Sequence, residues 1–365
     1  MTATRAADKS HMARALELAR KGLATTDPNP RVGCVIAAGE RVVGEGWHQR
    51  AGGPHAEVFA LEAAGPAARG ATVYVTLEPC SHHGRTPPCA DALAAAGVGR
   101  VVYAMRDPNP KVDGGGIARL VAAGIAVEGG LLESEAHDLN AGFVSRMTRG
   151  RPWVSVKLAA SLDGATALPG GESRWITGAA ARDDVQRLRA RSSAVMTGSG
   201  TVIADDPRLD VRLPGTVRQP LRVVLDSKLR TPPGARILAP PGQALILCSD
   251  EDAVRAAPLR AAGAEILAVG SSAGGVDLNA ALAALAARQV NELLVECGAG
   301  LAGALLSAGL VDELLLYLAP TLLGRGSRPL ADLEAPTSLA GRLQFSIVER
   351  QDVGDDLLLR LRPRH

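Results

Sequence analysis

His55-Ala56-Glu57, then Pro79-Cys80 and Cys89, bring an imidazole, two thiols and a carboxylate into one short stretch of chain. One imidazole and two thiolates form a zinc ligand set with one position left open. Glu57 stands two residues from the imidazole, where it suits a proton shuttle better than a ligand. Zinc lowers the pKa of a bound water to about 7 and so makes hydroxide available near neutral pH. The carboxylate would then carry the proton to a departing group.

H-x-E followed by P-C and a second cysteine is the signature of zinc deaminases that attack an amino-bearing ring carbon. The alternative is a structural zinc held by four protein ligands. His82, His83, His48 and Cys34 are the nearby candidates for a fourth, and none forms a C-x2-C or H-x3-H pair with the others. The loop from Ser81 to Pro88 also spaces the two cysteines more widely than the usual deaminase signature does.

A second constellation lies far along the chain. Gly298-Ala299-Gly300-Leu301-Ala302-Gly303 is a literal G-x-G-x-x-G after an apolar strand. Its backbone N–H groups could cradle a diphosphate. A Rossmann fingerprint needs an acid about 20 residues on, and Asp312 and Glu313 come too soon. The motif therefore reads either as a dinucleotide or phosphate loop on another fold, or as a tight helix start. Thr197-Gly198-Ser199-Gly200-Thr201 is a second polar, glycine-rich turn, followed by Ala204-Asp205-Asp206-Pro207. Ser227, with Lys228 and Arg230 beside it, closes another strand. A serine with basic neighbours there could hold a 2′-phosphate and favour NADPH over NADH. An ordinary solvated turn would look the same.

These residues need a scaffold, and the hydrophobic pattern supplies one. Strands are expected at Val32 to Ala38, Arg41 to Trp47, Ala71 to Leu77, Arg100 to Met105 and Ile125 to Val127. Helices are expected from Ser10, from His55 to about Ala64, from Pro87-Pro88 to Ala96, over Ile117 to Ala123, and over Leu131 to Met147. The zinc candidates fall at strand-to-helix junctions, where positive helix ends would face the thiolates. Thr148 to Pro152 is the candidate linker, which divides the chain into 1-149 and 150-365. Beyond it, strands are expected at Trp153 to Ala160, Ala194 to Thr197, Leu221 to Leu225, Ala244 to Cys248, Ile266 to Val269 and Glu292 to Glu296, with a helix over Ala179 to Ala190. Lys157 is read as a polar residue at the end of the first of these strands. Consecutive strands near Glu313 to Leu318, Gln344 to Glu349 and Leu357 to Leu361 argue for antiparallel strands added to a parallel sheet.

Composition narrows the class. The 365 residues suffice for two domains, and 40 basic residues nearly balance 38 acidic ones. No charge block offers a nucleic-acid or membrane surface, and no apolar run approaches a membrane span. Five unevenly spaced cysteines and a polar N-terminus suggest a cytoplasmic protein in a reducing compartment.

Pro79 to Cys89, preceded by His55-Ala56-Glu57, resembles the bifunctional riboflavin biosynthesis deaminase/reductase family, which carries this long inter-cysteine loop. Lys157 to Gly164, Gly171 to Thr177, Ala204 to Pro207 and Glu296 to Gly298 agree with its second half. The resemblance implies an α/β chain: an N-terminal cytidine-deaminase-like three-layer domain, then a dihydrofolate-reductase-like domain with a mixed sheet. The first would remove the 2-amino group of 2,5-diamino-6-ribosylamino-4(3H)-pyrimidinone 5′-phosphate. The second would reduce the ribosyl group to ribityl with NADPH.

Residue roles follow from the same resemblance. His55, Cys80 and Cys89 would bind Zn2+, and Glu57 would shuttle the proton. Asn29, His48, Arg85, Asp107 and Asn109 would meet the pyrimidine phosphate in the deaminase half. Ala159, Trp175, Thr201, Asp205, Ser227, Gly298, Ala299, Gly300, Leu301, Ala302, Gly303 and Ala304 would contact NADPH. Ser173, Arg189, Leu209, Arg212 and Glu296 would hold the reductase substrate, with Lys157 as a catalytic candidate. A small-molecule partner is implied, no nucleic acid or membrane, and a homo-oligomer through the reductase domain. Two other readings compete. One is a nucleoside or tRNA deaminase fused to an unrelated reductase, of which the tRNA enzyme should show a basic face. A zinc-stabilised binding module would have no use for Glu57.

Overall fold

A computed structural model describes residues 3–81, 88–110, 112, 114–272 and 275–364. It divides the chain into two compact units, Met1–Gly150 and Arg151–His365. Arg85 lies outside the described residues, as do His82, His83 and Pro87.

The N-terminal unit runs α1 (Ala3–Arg20), β1 (Gly33–Ala38), β2 (Arg41–Trp47), α2 (Ala56–Ala64), β3 (Thr72–Leu77), α3 (Cys89–Ala96), β4 (Arg100–Met105), α4 (Gly115–Ala122), β5 (Ala126–Gly129), α5 (Glu133–Leu139) and α6 (Ala141–Arg149). The sheet order is β2-β1-β3-β4-β5. β3, β4 and β5 are parallel, whereas β1 is antiparallel to both its neighbours. One face buries α2, α3 and α4 through Ala56, Ala60, Ala90, Leu93 and Leu120. The other buries α1 and α5 through Met12, Ala15, Leu16, Ala136 and Leu139. The buried β3 and β4 explain their near-continuous apolar runs. α2 can seat directly on β2 because Gly46 has no side chain. A Cβ there would stand 2.2 Å from the Ala56 carbonyl oxygen, so this glycine sets the depth of the helix that carries Glu57.

The single helix expected over Leu131 to Met147 is two, broken at Asn140. The Asn140 amide leaves the helix to pair with Arg31, accepting from its N–H at 2.8 Å and donating to its carbonyl at 3.0 Å. α6 then stops at Gly150, whose φ of 66° is left-handed.

The C-terminal unit runs β6 (Trp153–Ser161), β7 (Ala165–Ala167), α7 (Ala179–Arg191), β8 (Ala194–Gly198), α8 (Ser199–Asp205), β9 (Leu221–Leu225), β10 (Ala244–Cys248), α9 (Ala253–Ala261), β11 (Ala264–Ala268), β12 (Ser271–Ser272), β13 (Gly275–Val276), α10 (Leu278–Ala287), β14 (Glu292–Glu296), α11 (Ala299–Ser307), β15 (Glu313–Ala319), β16 (Arg328–Pro329), β17 (Phe345–Val353) and β18 (Asp356–Pro363). Its large sheet has the order β11-β10-β9-β8-β14-β6-β15-β18-β17. Pairings from β11 to β15 are parallel, and β18 and β17 add antiparallel strands at the edge. This matches the expected mixed sheet. α10 and α11 cover one face, and α7, α8 and α9 cover the other.

Two sequence expectations fail locally. Lys157 is not at a strand end: β6 continues through Ser161, so Lys157 lies mid-strand, in register with Glu296 of β14. The turn at 197–201 is in part a helix, since α8 starts at Ser199 directly after β8.

Candidate active sites

In the N-terminal unit, His55 caps α2 in an extended conformation, so its ring leaves the helix start and turns toward β3's outlet. Cys80 follows β3, and Cys89 opens α3. One donor atom from each of His55, Cys80 and Cys89 lies within 4.8 Å of the others, and no other such group occurs among the described residues. His55 Nδ1 is 3.2 Å from Cys89 Sγ and 3.5 Å from Cys80 Sγ. The Cys89 backbone N–H, first in its helix, donates to Cys80 Sγ at 3.3 Å.

The Cys89 thiol and the His55 ring hold Cys80 well below the ordinary thiol range, against the opposing effect of burial. The Cys80 thiolate in turn, together with burial, pushes Cys89 up. Two thiols pressed together beside an imidazole in a dry pocket cannot both ionise unless a cation joins them. The donor set and its packing therefore fit zinc. Among the described residues, His48 and Cys34 do not join the ligands.

Glu57 sits one residue inside α2, 3% exposed. Burial raises its carboxyl above the ordinary value, against the pull of nearby His55. His48 is also buried. Its Nδ1 faces the Pro54 carbonyl at 2.9 Å, so that nitrogen carries the hydrogen and donates. Its Nε2 then accepts from Asn29 Nδ2 at 3.1 Å. Burial lowers the His48 pKa, which suits this neutral tautomer. The His48 ring stands edge-on to His55, 5.6 Å between centroids. Asn29 and His48 thus stand beside the metal group. Asp107, on the loop after β4, accepts from the Asn109 N–H at 2.8 Å. Burial raises it to about 6, with Glu78 and Cys80 adding to the rise.

In the C-terminal unit, the two glycine-rich turns meet. β8 and β14 are parallel neighbours. The helix after β8 packs on one face, through Val202, and the helix after β14 packs on the other, through Ala302 and Leu305. Helices leaving adjacent strand ends in opposite directions open a crevice there, the usual ligand position in open α/β sheets. A Cβ on Gly298 would find Thr201 Oγ1 at 4.0 Å, and one on Gly198 would find Leu301 at 3.8 Å. On Gly200 and Gly300 it would meet nothing, so both backbones line open space. Gly303 differs: its Cβ would lie 1.9 Å from the Asp332 carbonyl oxygen, so this glycine serves packing. An open glycine cradle at a helix N-terminus fits a dinucleotide diphosphate.

The other cofactor candidates lie on several elements of this unit. Ala159 is half-buried in β6. Ser227 follows β9, and Arg230 on the same loop donates to Ser199 Oγ at 3.4 Å. The Asp205 carbonyl accepts from Arg174. Trp175 is exposed and stacks on Arg182, 4.6 Å to the ring centroid. Ala299, Leu301, Ala302 and Ala304 all belong to α11.

The substrate candidates form a charged group. Arg189 grips Glu296 with two hydrogen bonds, of 2.6 and 2.9 Å. Lys157 lies 5.6 Å from the Tyr317 ring centroid. Burial lowers its pKa, while Glu296 pulls it back up. Burial would raise Glu296, but Arg189 leads a set of cations, with Lys157 and Arg212, that brings it below its ordinary value. Ser173 lies half-buried in the loop before α7. Leu209 has a buried side chain and a left-handed φ of 52°, which leaves its backbone as the part able to face a ligand. Sequence reading missed Asp210 and Tyr317. Tyr317 donates to Asp184 Oδ2 at 2.6 Å and so ties β15 to α7. Alternating charge at Arg208, Asp210 and Arg212 was the one available signal for Asp210.

Comparison with known proteins accounts for both halves. Residues 5–105 match the cytidine and deoxycytidylate deaminase zinc-binding region, and residues 152–359 match the RibD C-terminal domain. The riboflavin biosynthesis protein RibD of Escherichia coli (strain K12) is 52% identical over 366 residues, covering 97% of this chain and 99% of its own. The chain belongs to the RibD family. RibD of Acinetobacter baumannii (form 1) has a solved structure that superposes with a TM-score of 0.92 at 46% identity, covering 99% of this chain and 100% of its own. The Thermotoga maritima diaminohydroxyphosphoribosylaminopyrimidine deaminase/5-amino-6-(5-phosphoribosylamino)uracil reductase gives 0.87 at 34% identity, covering 99% of each chain. This RibD chain is therefore a bifunctional deaminase and reductase of riboflavin biosynthesis, using zinc in its first half and NADPH in its second.

Proposed function

We propose that the N-terminal site deaminates 2,5-diamino-6-ribosylamino-4(3H)-pyrimidinone 5′-phosphate and that the C-terminal site reduces the product's ribosyl group to ribityl. The convergence of His55, Cys80 and Cys89 within 4.8 Å, with buried Glu57 beside them, carries this reading. His55, Cys80 and Cys89 would hold the zinc, which when bound supplies Lewis acidity that lets water react near neutral pH.

The rest belongs to the chain's own side chains. Glu57, raised by burial, takes up a proton and delivers it to the departing amino group. Asn29, locked by its bond to the neutral His48, orients the pyrimidine. Asp107, held by the Asn109 N–H, accepts from a ring or exocyclic N–H. Units 1-149 and 150-365 thus have separate chemistry.

In the second site, NADPH when bound supplies the hydride to the ribosyl anomeric carbon. Within Gly298 to Ala304, the open backbone around Gly298 and Gly300 would hold it, with Thr201, Asp205, Ala159, Trp175 and Ser227, while Gly303 keeps the helix seated against Asp332. Arg189 and Arg212 take the substrate phosphate, because guanidinium binds it as a fork. Ser173, the Leu209 backbone and Glu296 align the sugar. Lys157, whose pKa burial lowers, gives a proton to the sugar oxygen released as the ring opens.

The five cysteines are unpaired, which supports a reducing, cytoplasmic setting. The exposed edge strand β17 supports a homo-oligomer built through the reductase unit. The functional test is product analysis. Purified protein incubated with the diaminopyrimidine phosphate should release ammonia without NADPH and yield 5-amino-6-ribitylamino-uracil 5′-phosphate with it. No ammonia release from zinc-loaded protein would overturn the reading.

A further inference from the structure

Arg208-Leu209-Asp210-Val211-Arg212 carries charge at alternate positions. Asp210 is the centre of this group. Its side chain is 2% exposed, yet both oxygens are engaged. Arg208 Nε donates to Oδ2 at 2.8 Å, and Arg212 Nη1 donates to Oδ1 at 2.5 Å. The Asp210 carbonyl accepts from Arg189 Nη1 at 3.1 Å. One residue therefore fixes three guanidinium groups. The buried Leu209 side chain and its left-handed backbone lock the turn that lets Arg208 reach Asp210.

The two outer arginines are not used up by this contact. Their side chains are 36% and 54% exposed, so the edges turned away from Asp210 meet solvent. Lys157, Arg189, Arg208 and Arg212 face the carboxylates of Glu296 and Asp210. Among these six groups cations exceed anions by two, with the buried Arg222 a further positive charge felt by Asp210 and Arg208, and a phosphate monoester carries about −1.5 to −2. A buried carboxylate with a guanidinium on each oxygen is strongly held, since removing either partner leaves one buried oxygen without its charged donor.

We propose that Arg208 is a third phosphate-contacting side chain of the reductase site, and that Asp210 is the positioning residue that presents Arg208 and Arg212 to the phosphate. This rests on the reading that Arg189 and Arg212 bind the substrate phosphate. Pre-orientation matters because an exposed arginine otherwise loses rotamer freedom on binding.

The test measures reduction of the deaminated substrate, with and without its 5′-phosphate, by the full chain with NADPH. Arg208→Gln should raise KM for the phosphorylated compound about tenfold or more, the usual cost of a lost charged hydrogen bond. kcat should move little, and the preference for the phosphorylated compound should fall by the same factor. Arg208→Lys should recover part of it, since it keeps the charge but not the fork. Asp210→Asn should lose preference too, through the two arginines it no longer holds. An unchanged preference in Arg208→Gln, or a higher one in Asp210→Asn, would overturn the proposal. Arg212→Ala separates the two levels. If it loses preference while Arg208→Gln does not, only the extension fails. If neither moves it, the underlying phosphate site is wrong.

Discussion

The deaminase site is a point and the reductase site is a surface. In the first, three donor atoms meet within 4.8 Å, supplied by residues at two strand-to-helix junctions. In the second, the candidates are spread over β6, β14, α8, α11, the segment after β9 and the loops before α7 and after α8. The difference follows from the ligands. A metal ion needs a few atoms at one spot, with distances set to fractions of an ångström. A dinucleotide needs a long, shallow run of backbone donors and a few charges. Damage to the point should be nearly all-or-none, whereas damage to the surface should be graded.

The largest effect expected is at the point. Cys80→Ser or Cys89→Ser should strip the zinc and abolish deamination. The N-terminal unit should also be destabilised, since metal binding energy is folding energy. Metal analysis and thermal unfolding check this. Zinc retained at wild-type stoichiometry would break the contrast.

The surface can be probed by two glycines in one motif. Gly303→Ala forces a Cβ to within 1.9 Å of the Asp332 carbonyl oxygen, and overpacking of this kind typically costs about 1–3 kcal/mol. Denaturant unfolding should show that loss. Gly300→Val points into open space, so stability should hold while KM for NADPH rises. If the two variants behaved alike, the cradle would be misassigned.

Cofactor choice should respond less. Ser227→Asp puts a negative charge where the 2′-phosphate is expected, and repulsion of about 1 kcal/mol at contact is about fivefold. The ratio of kcat/KM for NADPH over NADH should drop by that order. An unchanged ratio would move the phosphate away from Ser227.

The smallest effect concerns acid stability of the N-terminal unit. Hydrogen bonds from Arg100, then from Tyr74, lower the Asp8 pKa from its ordinary 3.8, against burial. A depressed folded-state pKa gives stability that is complete above the unfolded value and lost as pH falls through the folded one. The unit should therefore weaken below about pH 4, and Asp8→Asn should show a shallower acid dependence. Identical acid curves would show that Asp8 contributes nothing.

Legibility divides along the same line. His55, Cys80 and Cys89, with Glu57 beside them, could be read in the sequence because a metal donor set and its neighbouring acid are chemically distinctive and sit at fixed local spacing. Most strands of both units were readable because burial on both faces leaves unbroken apolar runs, as in β3 and β10. α9 and α10 were not anticipated, since alanine-rich segments such as Leu278–Ala287 carry little helical periodicity. The break at Asn140 depends on Arg31, distant in sequence, and no local pattern announces it. The crevice between β8 and β14 depends on which face each following helix takes, a property of strand order. Asp210 was unreadable as a positioning group because its partners include Arg189 of another element.

The central claim is that two independent sites share this chain, and Glu57→Gln tests it most directly. The substitution keeps the shape of the side chain and should keep the zinc, but glutamine cannot carry the proton. Deamination should fall by about 10²–10⁴-fold or more, while substrate deaminated beforehand should be reduced with NADPH at the wild-type rate. Loss of that reduction in a folded, zinc-loaded Glu57→Gln protein would contradict the account.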